Sequence, residues 1–169
     1  GNFESFVNPL TPIPEYITEM TGITDLMLAQ APVIDEIMPA FLKFAGSADE
    51  TIIVAHNAPF DLSFLMSAAK ELDLEWPKYK TLDTVTIARQ VLSKEDVPNC
   101  KLSTLAQFFG TKTEPNHRAL DDAKATTEIL HGLIERLGSF EVYDVNSLLE
   151  FAKTAAHIQR QNYWGLGSI

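Results

Sequence analysis

An α/β layered fold is what the sequence predicts, and three observations carry that expectation. Thr51-Ile-Ile-Val-Ala55 is a compact β-branched run bounded by turn residues, the pattern of a strand buried on both faces. Apolar stripes at helical spacing stand on either side of it. A second, weaker strand candidate, Tyr79 to Leu82, lies between two of those stripes. Strands separated by helices indicate helices layered on a sheet.

The elements follow in order. Phe3, Phe6 and Val7 read as the end of a strand, stopped by Asn8-Pro9, Pro12 and Pro14. The start, Gly1-Asn2-Phe3, has no initiator Met and no signal-peptide pattern, so it reads as a cut end. Glu15 to Met20 is a short helix closed by Thr21-Gly22, and Thr24 with Asp25 caps another short turn. Between Val33 and Phe44 the residues Ile34, Ile37, Met38, Phe41 and Leu42 recur at helical spacing, and Gly46 ends the run. His56-Asn57-Ala58-Pro59 leads from the strand into a helix carrying Phe60, Phe64, Leu65, Ala68 and Leu72, with Pro59 suited to a first turn. Helices are expected from about Asp83 to Leu92, from Lys101 to Phe109 and from Arg118 to Leu137. In the last of these, Leu120, Ala123, Thr127, Leu130, Ile134 and Leu137 form the apolar stripe and Gly138 the stop. Residues 1–138 make the main domain. Residues 139–169 read as an appended helix and linker, with Leu148, Leu149, Phe151 and Ala152 as a modest core, then His157 to Arg160 and a Gly165-Leu-Gly167 end.

Composition narrows the classes. The 169 residues are 46% hydrophobic and 21% charged, a globular balance that excludes a disordered or fibrous chain, and the length suffices for one domain with a full core. Apolar runs fall far short of the roughly 20 residues that span a membrane, so no membrane partner is expected. The single cysteine, Cys100, forms no internal disulfide and no metal-ligand pair; it fits a reducing, cytoplasmic setting and excludes a zinc ribbon. A net charge of −10 argues against broad electrostatic binding of a duplex, which relies on clustered Lys and Arg. Carboxylates gathered around divalent cations remain compatible with phosphate chemistry.

Two constellations can carry chemistry. Asp61 lies in the first turn of the helix that leaves the strand, where a carboxylate can project past the strand's C-terminal end, the usual ligand side of an open α/β sheet. The plainer alternative is a first-turn acid favoured by the helix dipole. The second is His117-Arg-Ala-Leu-Asp-Asp-Ala123. Five residues of helix rotate about 500°, which puts His117 and Asp122 about 140° off a shared face. His117 is therefore expected in the loop ending Glu114-Pro115-Asn116, with Asp122 inside the helix, so that a loop imidazole folds back toward the carboxylate. The alternative is a capping segment with an exposed histidine and two dipole-favoured acids, of which Asp121 is solvated or pairs with a neighbour.

His56-Asn57…Asp61 and His117…Asp122 together resemble the second and third motifs of the DEDDh family of 3′–5′ exonucleases, which includes the epsilon proofreading subunit of bacterial DNA polymerase III. Pro12-Ile-Pro14 and Met20-Thr21-Gly22-Ile23-Thr24 resemble the segment before the second motif; Leu82-Asp83-Thr84 with Ile87-Ala88-Arg89 resembles the one after it. The resemblance runs from about Phe3 to Leu137. It implies an RNase H-like fold, three layers with a mixed central sheet flanked by helices, here lacking its first strands.

The resemblance also implies phosphodiester hydrolysis with two Mg²⁺ or Mn²⁺ ions about 4 Å apart, a hard-cation site that takes oxygen ligands. By the same resemblance Asp122 ligates the nucleophile-side metal, Asp61 holds the second largely through water, and His117 is the general base, a role suited to imidazole near neutral pH. Asn57 and Phe60 are the candidate substrate-binding residues, with turn-forming and core roles as their alternatives, and His56 is expected to be a structural hydrogen-bonding residue. The implied substrate is a single-stranded or frayed DNA 3′ end in proofreading or repair, with RNA left open because 2′-OH sensing depends on local contacts. The partner is a DNA polymerase or a fused endonuclease module, the tail loosely resembling the connector of such fusions. The family's first motif, Asp-x-Glu on a central strand, is expected upstream of Phe3. The chain's own Asp73-Leu-Glu75 follows a helix and reads as a surface loop. The competing function is a catalytically incomplete module that keeps the fold and docks to a polymerase or nuclease partner.

Overall fold

The computed structural model describes residues 1–161, with side chains described through Thr154. In chain order the elements are α1 (Glu15–Thr21), α2 (Asp25–Leu28), α3 (Ile34–Ala45), β1 (Ile52–Ala55), α4 (Ala58–Glu71), β2 (Lys80–Asp83), α5 (Thr84–Val91), α6 (Leu102–Phe109), α7 (Ala119–Leu137), a 3₁₀ turn (Gly138–Phe140) and α8 (Val145–Gln161). The linker expected at Gly165-Leu-Gly167 lies outside the described residues, and the side chains of His157 and Arg160 lie outside the described side chains.

Local chemistry sets the boundaries. Gly22 ends α1 at φ 69°, where its N–H binds the Thr18 carbonyl, a left-handed cap that glycine adopts without a Cβ clash. The Thr24 hydroxyl accepts from Met27 N–H at 3.3 Å and starts α2. Gly46 closes α3, and the Thr51 hydroxyl donates to the Ala45 carbonyl at 2.6 Å, tying the helix end to the start of β1. Gly110 closes α6 at φ 63°.

β1 and β2 pair in parallel, Ile52 with Lys80 through Ala55 with Asp83, and form a two-stranded sheet. The coarse α/β reading holds, but among the described residues the sheet is small and parallel, without the mixed order. β1 is half-buried along its length where burial on both faces is expected. α4 and α7 pack against it, yet β2 is its one strand partner among the described residues. The opening residues form no strand either. Phe3 instead sets its ring 6.0 Å from Phe41 and 5.4 Å from Phe44, on the C-terminal half of α3, and Asn8 N–H binds the Pro32 carbonyl at 2.8 Å. Ring packing on a helix takes the place of strand pairing.

The main core lies between β2, α5, α6, α7 and α8, with Ile87, Leu105, Ile129, Leu133 and Leu137 fully buried. Each such side chain contributes about 1.5–3 kcal/mol on burial. The buried face of α7 is Ala125, Thr126, Ile129, Leu133 and Leu137, about one residue's rotation from the stripe expected from sequence; Ile134 is 43% exposed. α7 carries apolar residues on two adjoining faces, and packing on α5 and α6 selects one. Gly138 does not stop the chain in a left-handed cap: it stays helical and opens the 3₁₀ turn, and the turn is made at Glu141, φ 59°. α8 contributes Leu148, Leu149 and Ala152 to the same core, so the first part of the 139–169 segment packs with the residues before it. No helix among the described residues is long and apolar enough to cross a membrane.

Candidate functional site

The ends of the two strands are pinned to each other. Ala55 lies opposite Asp83, and just beyond it Asn57 takes the left-handed conformation, φ 67° and ψ 50°, as the N-cap of α4. Asparagine tolerates that region better than most residues. Asp83 Oδ1 accepts from Asn57 N–H at 2.9 Å and from Val85 N–H at 3.0 Å, so one carboxylate caps α5 and holds the exit of β1. Beside it, His56 Nδ1 lies 2.9 Å from the Thr84 hydroxyl, which also donates to the Ala55 carbonyl at 3.3 Å. Thr84 is fully buried. His56 makes the structural bond expected of it.

Burial lowers the pKa of His56, while the charges of Asp83 and Asp122 and the Cys100 carbonyl oppose the shift and Arg89 adds to it. α4 starts with Pro59 in its first turn and carries Asp61 there. Partial desolvation raises the Asp61 pKa, its own N–H opposes, and the neighbouring Asp83 charge adds. Asp61 as a residue is exposed, so solvent screens this shift and it carries little energetic weight. Phe60 is 60% exposed and meets Phe64 edge-on, ring centroids 5.0 Å apart. Asn57 is exposed as well. Cys100 packs against the core, and burial pushes its thiol up, away from reactivity.

The second constellation sits at the start of α7. His117 is in the loop, as its spacing requires, exposed and in the left-handed region at φ 63°. Such a conformation in a non-glycine residue costs about 1–2 kcal/mol and must be held by its surroundings. Asn116 does the holding. Its N–H donates to Asp122 Oδ1 at 3.1 Å, its amide nitrogen donates to Asp121 Oδ2 at 3.0 Å, and its Oδ1 accepts from Arg118 N–H at 3.0 Å. Asp121 also pairs with Lys124 at 3.5 Å, and the Asn116 amide is the main cause that lowers its pKa. Asp122 is half-buried, its charge felt at His56.

The structure therefore links Asp122 with the His117 loop through Asn116, and it places Asp61 in the first turn of α4, just past the end of β1. Among the described residues no hydrogen bond joins Asp61, His117 and Asp122 directly. Two divalent cations suit this donor set in kind, since Asp61 and Asp122 offer hard oxygen ligands. They do not suit it in number: among the described residues no three His, Cys, Asp or Glu side chains come close enough to hold a metal ion. The residues present do not by themselves fit the cation pair. Asp73 and Glu75 offer no substitute, being exposed in the loop after α4, with Asp73 at φ 53°.

Sequence reasoning missed Asn116 and Asp83. Asp83 was readable as the N-cap of α5, an Asp before a helix, but its bond to Asn57, 26 residues away, had no sequence signal. Asn116 stood in view as a turn residue before His117, and only the folded turn shows that it holds both acids.

Known proteins resemble this chain in sequence and in fold. The family model described as an exonuclease, RNase T, matches residues 1–130, a span that contains Asp61, His117 and Asp122. A Mycobacterium tuberculosis protein named "Putative bifunctional exonuclease/endonuclease protein" is 43% identical over 160 residues, 95% of this chain and 24% of that protein. The PolC-type DNA polymerase III of Caldanaerobacter subterraneus subsp. tengcongensis is 46% identical over 150 residues, 87% of this chain and 10% of the polymerase. The chain thus spans about a quarter of the first relative and about a tenth of the second. A structure of exonuclease X in complex with 5′-overhanging duplex DNA superposes with a TM-score of 0.62 at 23% identity, covering 86% of this chain and 78% of that one, which identifies the fold as RNase H-like. The chain belongs to the RNase T, or DEDDh, exonuclease family.

Proposed function

We propose that this chain serves a 3′–5′ exonuclease that removes nucleotides from single-stranded or frayed DNA 3′ ends in proofreading or repair. His117, Asp122 and Asp61 are its contribution to the catalytic centre, and Asn57 and Phe60 its contribution to substrate binding. The observation that carries this reading is the His117 turn. An exposed imidazole is held in a left-handed conformation by the same asparagine whose N–H binds Asp122, so the loop histidine and the helix carboxylate are tied to one turn. Exposed Phe60 supplies a ring on which a base can stack, an interaction indifferent to sequence. An acidic surface suits an enzyme that engages one strand end and makes no broad duplex contact.

Mg²⁺ or Mn²⁺ binding at full occupancy needs carboxylates beyond Asp61 and Asp122, of the kind the family's Asp-x-Glu motif provides. The mixed three-layer sheet belongs to this proposal too, with β1 offering an edge that β2 does not occupy. The similarity to a named exonuclease/endonuclease and to PolC supports either a fused endonuclease module or a polymerase as the working context. A second reading is a module that binds a partner without cutting. The donor set favours it, since among the described residues no three His, Cys, Asp or Glu side chains, Asp61 and Asp122 included, gather closely enough to hold a metal ion.

Release of mononucleotides from a labelled single-stranded DNA 3′ end by the intact protein, with and without Mn²⁺, separates the two. The nuclease reading expects Mn²⁺-dependent release, reduced at least about a hundredfold by Asp122→Ala with an unchanged far-UV spectrum. No release from the wild-type protein leaves the binding module.

A further inference from the structure

The turn between β1 and α4 places Asp61 and Phe60, and the group that fixes this turn lies on the other strand. Asp83 faces Ala55 in the parallel register, so its carboxylate reaches across the end of the sheet. Oδ1 accepts from Asn57 N–H at 2.9 Å and from Val85 N–H at 3.0 Å, and Oδ2 accepts from the Thr86 hydroxyl at 3.1 Å. The bonds to Val85 and Thr86 anchor the carboxylate to α5, an element with Ile87 and Ala88 fully buried. The bond to Asn57 then transmits that anchorage to a residue with little support of its own. Asn57 is exposed, sits at φ 67°, and its side chain makes no capping bond to α4. Its carbonyl accepts from Phe60 N–H at 3.0 Å and so begins the first turn. Pro59, next but one, has no N–H to add. A change in φ or ψ at Asn57 therefore redirects the first turn of α4, and Asp61 moves with it.

We infer that Asp83 is a positioning residue: its carboxylate holds Asn57 in the left-handed conformation and thereby sets the direction in which α4 carries Asp61 and Phe60 past the strand ends. This rests on the proposal that Asp61 serves a nuclease site. The hold is a matter of acceptor geometry and does not need the negative charge. An amide at position 83 keeps an oxygen for the Asn57 and Val85 N–H groups, and its nitrogen can donate to the Thr86 hydroxyl.

The test compares Asp83→Ala, Asp83→Asn and Asn57→Gly, singly and combined, in the intact protein. Two quantities are read: kcat and KM on a single-stranded DNA 3′ end, and hydrogen exchange in peptides covering residues 55–62. Asp83→Ala is expected to lower kcat about ten- to a hundredfold, to raise KM as well because Asn57 and Phe60 shift together with Asp61, and to speed exchange in residues 55–62 while α7 keeps its protection. Asp83→Asn is expected to stay close to wild type in both. In the Asn57→Gly background the loss caused by Asp83→Ala shrinks, because glycine adopts positive φ without being held. The inference is overturned if Asp83→Asn is as damaging as Asp83→Ala, or if Asp83→Ala costs as much in the Asn57→Gly background as in the wild-type one. If the wild-type protein releases no nucleotides, the nuclease reading fails and exchange alone decides: faster exchange in 55–62 upholds the hold on Asn57, and unchanged exchange removes it.

Discussion

Ile129 and Phe64 are both large apolar residues in the middle of long helices, yet Ile129 is fully buried and Phe64 is 63% exposed. The contrast extends to their surroundings. From β2 onward the chain buries Leu82, Ile87, Leu105, Leu133, Leu137 and Leu148, among others, whereas the described residues before β2 bury only Leu28, Met38, Ala58 and Ala69. Leu10, Tyr16, Leu26, Phe60 and Phe64 in that first part are each at least 60% exposed. Burial is therefore concentrated in the second part, and the first is joined to it through β1, which pairs with β2 along its length and packs on α7. The candidate site straddles the division: Asn57, Phe60 and Asp61 come from the lightly packed side, His117 and Asp122 from the start of the best-packed helix.

The largest expected effect tests that division directly. Ile129→Ala empties a fully enclosed position and is expected to cost about 2–5 kcal/mol. Phe64→Ala removes a larger side chain, but one that keeps an edge-on contact with Phe60 as its ring partner, and should cost less than about 1 kcal/mol. Denaturant midpoints of the two variants measure the difference. Equal losses would mean that the first part is as tightly determined as the second.

A smaller effect sharpens the account of the packed side. Gly132 lies inside α7, where alanine is worth about 1 kcal/mol more than glycine in helix propensity. A Cβ there would come within 2.9 Å of Phe109 Cε1 and closer still to Cδ1 of the same ring. The ring is held between Phe108 and Arg136, whose guanidinium carbon lies 5.9 Å from its centroid. Overpacking costs about 1–3 kcal/mol, so Gly132→Ala is expected to lower Tm in spite of the propensity gained. A rise in Tm would show that the α6–α7 contact yields freely.

The same contrast explains what could be read from sequence. Helices with local punctuation were legible: Gly22, Gly46 and Gly110 end α1, α3 and α6, and the β-branched run at Ile52–Ala55 is β1. Elements decided by distant partners were not. Phe3 to Val7 has strand-like residues, but the Phe3 ring packs on α3. α7 has two adjoining apolar faces, and the choice between them belongs to α5 and α6. Spacing alone put His117 in a loop and Asp122 in a helix, and both are there; the convergence of His117, Asp122 and Asp61 on one centre rests on the family resemblance and the proposal built on it. The bonds that organise the region, Asn57 to Asp83 and His56 to Thr84, join residues 26 and 28 positions apart, which no local pattern encodes.

The smallest expected effect lies at the junction itself. His56 leaves β1 and bonds Thr84 at the start of α5, so it ties the lightly packed side to the core. Burial holds its pKa below the ordinary 6.5, against the pull of Asp83, Asp122 and the Cys100 carbonyl and with the help of Arg89. The folded protein thus binds this proton less readily than the unfolded chain does. Well above pH 6.5 the group is neutral in both states and its effect is constant. As pH falls from there toward the lower folded value, the unfolded chain takes up a proton first and stability declines. Tm measured across that window should fall, and His56→Asn should flatten the fall while leaving the dependence at lower pH, which carboxylates govern, unchanged. An identical profile in the variant would assign the proton to another histidine. Because the strain of a charged His56 is borne at the strand ends, hydrogen exchange in residues 55–62 should quicken within the window before α7 loses protection. Simultaneous loss in both would mean that the two sides unfold as one unit.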